Sequence, residues 1–218
     1  MIRPPKRAGI SFFVRPAIEK VGFARPLVES VLSADAGSAN AGRAASREPP
    51  MIAIRAAKIA MVAAIALVAT LVSFGNLTDY WTNFAFVQHV LAMDTIFPNS
   101  EIGYRAITSP VLHHVAYALI IAAETLTAVL CWIGAVALLR ALRADAAAFQ
   151  RAKTFAVFGL TLGFLIWQAG FMTIGGEWFG MWQSQQWNGV PSAFRFVMVI
   201  LGVLIFVVLR DEEIAPKR

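Results

Sequence analysis

One acid, one histidine and one tyrosine share a face of a long apolar run. Stepping 100° per residue from His113 through VLHHVAYALIIAAETLTAVLCWIGAVALL (111–139) brings Tyr117, Ile120, Glu124, Thr127 and Cys131 within about 40° of one line. Glu124 is the only full charge in that run. By helix rise it lies ~20 Å from Val111, near the middle of a bilayer. An ionised carboxylate there costs several kcal/mol unless paired, so Glu124 is expected to face other helices. Two roles fit. It is a proton-relay or ligand-anchoring acid grouped with His113, Tyr117 and Gln168, or a protonated carboxyl bonded to Gln168 or Thr161 as interhelical glue. The second role asks less of the chain.

A second group of side chains could ligate a metal. His89, His113 and His114, with Asp79, Asp94, Glu101 and Glu177, supply nitrogen and oxygen donors in and beside the two long connecting loops. Adjacent histidines point about 100° apart on a helix, and no H-E-x-x-H spacing is present. Histidines bonded to loop carbonyls are therefore expected, with no metal site, no haem and no other cofactor. Cys131 is the single cysteine, which removes intramolecular disulfides and Cys-based metal frameworks. Asn76-Leu77-Thr78 fits a glycosylation sequon, a weak three-residue signal. Glu177 and Arg195 bracket the second loop and could pair across it. No nucleotide loop, nucleophile elbow or paired-carboxylate motif occurs, so no catalytic residue is assigned.

These residues are set in an unusually oily chain. Of 218 residues 58% are hydrophobic and 15% charged, with a mean hydropathy of +0.65. A net charge of +6 raises nucleic-acid binding, yet no basic patch interleaved with solvated aromatics occurs. Four apolar blocks long enough to cross a bilayer stand at about 57–75, 111–139, 155–174 and 193–209. The fold class expected is all-α: a four-helix transmembrane bundle with an interfacial helix in its first outer loop. Ser109 and Pro110 mark the start of the second helix, as cap and first-turn proline.

Lysine and arginine set the orientation. Seventeen of the 19 flank the termini or the link between the second and third blocks, leaving Arg105 and Arg195 on the other side. Both termini are therefore expected in the cytoplasm. Residues 1–50 are basic and rich in Pro, Ala and Gly, without a signal-peptide core, and are expected to be a disordered extension. Met51 opens a basic flank followed by apolar residues and reads as the natural start. Residues 211–218 form a short cytoplasmic tail.

The outer loops carry aromatics at helical spacing, Tyr80, Trp81, Phe84, Val87 and Leu91 in the first, and Trp178, Phe179, Trp182 and Trp187 in the second. Trp-rich segments belong at headgroup level, so the outer surface is expected to comprise Asp79, Trp81, His89, Asp94, His114, Glu177, Trp178 and Trp182. For packing, Ala156, Gly159, Gly163 and Gly170 share one face of the third span, and Ala56, Ala60 and Ala64 one line of the first. The fourth span, bulky and nearly featureless, is expected to be the most lipid-exposed.

NLTDYWTNFAFVQHVLAMDTIFP (76–98), RAITSPVLHHVAYALIIAAETLTAVLCWIGA (105–135) and GGEWFGMWQSQQWNG (175–189) resemble a bacterial family of predicted small integral membrane proteins of unknown function. The resemblance covers about 51–209 and implies a four-span protein of the inner membrane whose chain begins at the equivalent of Met51. It brings no activity, cofactor or site. The function expected is a non-enzymatic membrane component whose Trp-rich outer surface binds a partner, lipid or small ligand. The alternative is a small oxidoreductase or proton-coupled transport component using Glu124 and His113. Expected partners are the lipid bilayer and a membrane protein or second copy, with no nucleic acid.

Overall fold

The computed structural model describes residues 51–213. The extension 1–50 and residues 214–218 lie outside the described residues. Helix α1 spans Met51–Thr78 and breaks at Asp79, where φ −117° and ψ 53° leave helical space, and α2 follows as Tyr80–Ala92. Helix α3 spans Pro110–Arg140, α4 Ala146–Ala152, α5 Thr154–Leu165 and α6 Val190–Val208. A π-helix, Ile166–Trp178, continues α5. Short 3₁₀ turns, Glu101–Arg105 and Met181–Gln183, lie in the two long loops. Among the described residues four helices are long and apolar enough to cross a membrane: Met51–Thr78, Pro110–Arg140, Ala146–Trp178 and Val190–Val208. No strand occurs among the described residues.

The bundle is held by small residues in the middle and by charges at one end. α3 packs between α1 and α5, while α6 packs on α5 and the π-helix. The α3–α5 contact is the close one. A Cβ added at Gly159 would stand 2.6 Å from Cys131 Sγ, and one added at Gly134 would strike the Ala156 backbone. Such approach supplies van der Waals contact where lipid gives no hydrophobic drive. Gly163 faces Thr127, but Gly170 meets nothing and stands off this interface. Around the contact lie Val62, Ile65, Leu138, Leu160, Ile200 and Val203, all buried.

Two packing expectations need correction. Ala56, Ala60 and Ala64 are exposed, because α1 turns Arg55, Lys58, Val62 and Ile65 inward instead. The third span, not the fourth, is the least buried, at 22% of its apolar window against 28% for α6. The π-helix has wider turns than an α-helix and faces cavities, so fewer of its side chains touch neighbours.

The end of the bundle that carries residues 51 and 213 is closed by a buried ionic clasp. Lys58 Nζ stands 2.9 Å from Asp211 Oδ2, and Lys153 pairs with the same oxygen. Both lysines also donate to the Leu209 carbonyl, each at 2.7 Å. Arg55 donates to the carbonyls of Ala144 at 2.6 Å and Glu212 at 3.0 Å, with its guanidinium 4.6 Å above the Phe149 ring. The two lysines thus meet the C-cap carbonyl of α6, where the helix dipole favours positive charge, and Arg55 meets carbonyls of the turns that follow α3 and α6. The segment expected as a tail from residue 211 therefore begins docked, with Asp211 buried.

Candidate functional site

Glu124 is buried, and its partner is not the one the helical wheel suggested. Asn76 Nδ2 donates to Glu124 Oε2 at 2.7 Å, while Tyr117 Oη donates to the Asn76 carbonyl at 3.0 Å. Neither Thr161 nor Gln168 reaches the acid, and the Gln168 carbonyl accepts from Thr173 Oγ1. Asn76 lies in the last turn of α1, which also removes it as a glycosylation acceptor, since its amide is engaged inside the bundle. Just below, Ser73 and Thr125 share a hydroxyl contact of 2.6 Å. The expected stripe on α3 is real: His113, Tyr117, Glu124, Thr127 and Cys131 are all buried.

Along α3 Glu124 lies 14 residues after Pro110 and 16 before Arg140, in keeping with the count from Val111. Its partner Asn76 is two residues from the end of α1 and 18 beyond Lys58, ~27 Å by helix rise, so the acid meets the first span at its loop end. The first turns of α3 reach past Glu124 to pack on α2. There Phe84 and Val87 are buried against Tyr117 and Ile121. The apolar face expected to lie on a membrane surface is thus turned onto α3, and Trp81 is left 71% exposed.

A cavity of about 300 Å³ opens beside Glu124. All four spans line it, through Val68 and Val72, Glu124 and Thr127, Ile166 and Trp167, and Arg195 and Phe196. Oε2 takes the Asn76 hydrogen bond, and Oε1 has no protein partner among the described residues. Thr127 is turned back to its own helix, donating to the Ala123 carbonyl. Arg195 is exposed and forms no ion pair with Glu177, contrary to the bracket proposed from sequence. Ser192, one turn earlier on α6, also reaches the cavity. A second cavity, about 450 Å³, lies between α2, α3 and the π-helix and is lined by apolar side chains such as Val90, Leu119, Leu162 and Phe171. Ile166 lines both.

Of the three histidines only His113 is held by a loop carbonyl as expected, and His114 and His89 meet side chains instead. His113 Nε2 donates to the Ile107 carbonyl at 2.7 Å, leaving Nδ1 buried without a partner among the described residues. His114 Nδ1 meets Tyr80 Oη at 2.7 Å, and its ring stacks on Phe84. His89 Nδ1 meets Asp94 Oδ2 at 2.7 Å, its ring stacked on Trp187. Ser109 occupies the cap position of α3 without a side-chain capping bond. Asp79 and Glu177 are exposed and apart from these rings, and among the described residues no three His, Cys, Asp or Glu side chains come together as a ligand set.

The two loops form one cap. Thr95 Oγ1 donates to Ser184 Oγ at 2.8 Å, and Phe97 N to Gln183 Oε1 at 3.1 Å. Arg105 donates to the Trp178 carbonyl at 3.2 Å with its guanidinium 4.6 Å over that ring, and Trp182 meets Phe97 edge-on. Gly180 turns the second loop with φ 63°, where a Cβ would stand 2.9 Å from Ile102. Asn76, Arg195 and Gln183 were not singled out for these roles in the sequence. A lone amide one turn before a helix break, opposite an intramembrane acid, was the signal available for Asn76.

A family model described as predicted small integral membrane protein (DUF2165) matches residues 54–210. The chain belongs to this family. It is a family of unknown function, and with the four apolar helices it makes the protein an integral membrane protein. Neither a curated protein nor a solved structure matches the chain. The matched range takes in Glu124, both cavities and the cap, and ends just before Asp211.

Proposed function

We propose that this is a non-enzymatic component of a bacterial inner membrane, with both termini in the cytoplasm, that binds a lipid within its four-span bundle. The observation that carries the reading is the pair of cavities sharing Ile166, one with a carboxylate in its wall and one wholly apolar. An amphipathic molecule has the same two-part character, and hydrocarbon surrounds the spans that bound both spaces. The exposed aromatics of the cap, Trp81 and Tyr104 foremost, suit the headgroup level above them. The orientation is supported by the distribution of basic residues.

Native mass spectrometry of the full chain released from membranes tests the binding. The wild type retains lipid, and Gly170→Phe, placed where an added side chain meets open space in the apolar cavity, retains less. A wild-type protein free of lipid under conditions that keep it folded would remove the reading. A reporter fused after Arg218 that is active only in the periplasm would reverse the orientation. The alternative, a proton-coupled or redox component, is supported by the Tyr117–Asn76–Glu124 hydrogen bonds. That line stops short of His113, whose Nε2 is held by Ile107.

A further inference from the structure

We infer that the cavity beside Glu124 is a headgroup site for a zwitterionic aminophospholipid, with Glu124 taking the ammonium and Arg195 the phosphate; the inference rests on the lipid-binding reading above. Glu124 is 4% exposed and lines the cavity, with Oε2 fixed by Asn76 and Oε1 free of protein partners among the described residues. A carboxylate so placed has one unfilled acceptor position directed at a mostly apolar space, and an ammonium donor satisfies it. Arg195 is the only cation on the cavity wall, with no hydrogen bond or ion pair among the described residues. Its planar fork suits a phosphate.

Position agrees with this chemistry. Arg195 is five residues into α6 from its loop end, and Glu124 meets Asn76 ~27 Å from the Lys58 layer, so both charges lie where the headgroups of one leaflet meet hydrocarbon. The apolar cavity on the far side of Ile166 then receives an acyl chain. A purely anionic lipid would leave the Glu124 oxygen unsatisfied and bring a second negative charge near it. A cationic soluble amine would leave Arg195 and the apolar space unused.

The test is a competition in detergent on the full chain, read by native mass spectrometry. Phosphatidylethanolamine and phosphatidylglycerol of identical acyl chains are offered together, with phosphatidylcholine as a second competitor. The wild type is expected to prefer the ethanolamine lipid over the glycerol lipid by about tenfold. Glu124→Gln, which preserves an acceptor for Asn76, abolishes that preference by lowering binding of the ethanolamine lipid to the level of the glycerol lipid, and Arg195→Gln lowers binding of both phospholipids. Lipid bound with no headgroup preference in the wild type would overturn this inference and leave the broader reading standing. No bound lipid at all would overturn both. Displacement of the lipid by equimolar soluble phosphoethanolamine would overturn the lipid assignment in favour of a soluble zwitterion. The wild-type comparison decides the matter even if a variant fails to fold.

Discussion

Lys58 and Asp211 lie 153 residues apart in the chain and 2.9 Å apart in space, both side chains almost wholly buried. The pair joins the first turns of α1 to the residues just after α6, and Lys153 brings in the third span. One carboxylate therefore ties three of the four spans at the end where the described chain begins and finishes. Among the described residues its second oxygen, Oδ1, has no partner, and neither does Arg55 Nε, so the clasp carries unmet polar demand as well as strong pairs.

Asp211→Ala removes the anion and leaves two lysines buried beside each other. Breaking a buried pair from one side costs ~3–5 kcal/mol, so the melting temperature in detergent should fall steeply. The triple variant Lys58→Met, Lys153→Met, Asp211→Leu removes all three partners of the ion pairs at once, leaves Arg55 on its carbonyls, and is expected to recover most of the loss. If Asp211→Ala melted with the wild type, the clasp would hold nothing that matters to stability.

Glycine placement separates contact from exposure. Gly134→Ala and Gly159→Ala each push a methyl into the α3–α5 interface and should destabilise by about 1–3 kcal/mol. Gly202→Ala, in the middle of α6 with nothing within 4 Å of the new methyl, should be neutral or stabilise by up to ~1 kcal/mol. Thermal unfolding of the three variants side by side gives the order. Equal effects at all three would mean that the close α3–α5 approach is not what the interface depends on.

These outcomes bear on what the amino-acid sequence could reveal. Hydropathy found four spans, the second and fourth to within three residues, while the first helix begins six residues before the apolar block, because a bilayer demands about 20 apolar residues whatever the tertiary contacts. The third span departs furthest: α4 and the π-helix lengthen it at both ends, and neither leaves a mark in an apolar pattern. The inward stripe on α3 was legible, since a polar residue among hydrocarbon must face protein. Its partner was not. Gln168 and Asn76 are both amides at plausible heights, and only the rotation of α1 against α3 decides between them. Lys58 and Arg55 read only as the basic flank of the first span, for the chain gives no sign that residues 211–213 fold back to bury them. The cap was visible as aromatic spacing, but its cross-loop bonds, such as Arg105 to the Trp178 carbonyl, have no sequence signal.

Asn76 tests the account of Glu124. Asn76→Ala withdraws the donor to Oε2 and leaves that buried oxygen unsatisfied at ~1–3 kcal/mol, while Tyr117 keeps the backbone carbonyl of residue 76 as its acceptor. Glu124→Gln retains the contact with Asn76 and should melt close to the wild type. A Glu124→Gln protein less stable than Asn76→Ala would show that the acid is held by something other than this amide.

Cys131 reports on the core without engineering. It is fully buried against Gly159, and the thiol cannot be approached in the folded protein. A small membrane-permeant maleimide should leave it unmodified in folded protein and add one equivalent after denaturation, as read by intact mass. Prompt labelling of the folded protein would mean that α3 and α5 separate far more readily than their packing implies.

The two loops can be joined by design because they already meet. Thr95 and Ser184, 89 residues apart in sequence, bring their hydroxyl oxygens to 2.8 Å, close enough for their Cβ atoms to approach the ~3.8 Å separation of a disulfide. Thr95→Cys with Ser184→Cys should therefore crosslink on mild oxidation, giving a two-hydrogen mass loss and a faster-migrating species reversed by reductant. Closing a loop of that length constrains the unfolded chain, and a gain of about 2–4 kcal/mol is expected if the cap needs no distortion. Cys131 does not compete, since it lies in the core. Two thiols that both alkylate freely yet never pair would show that the loops do not share one cap.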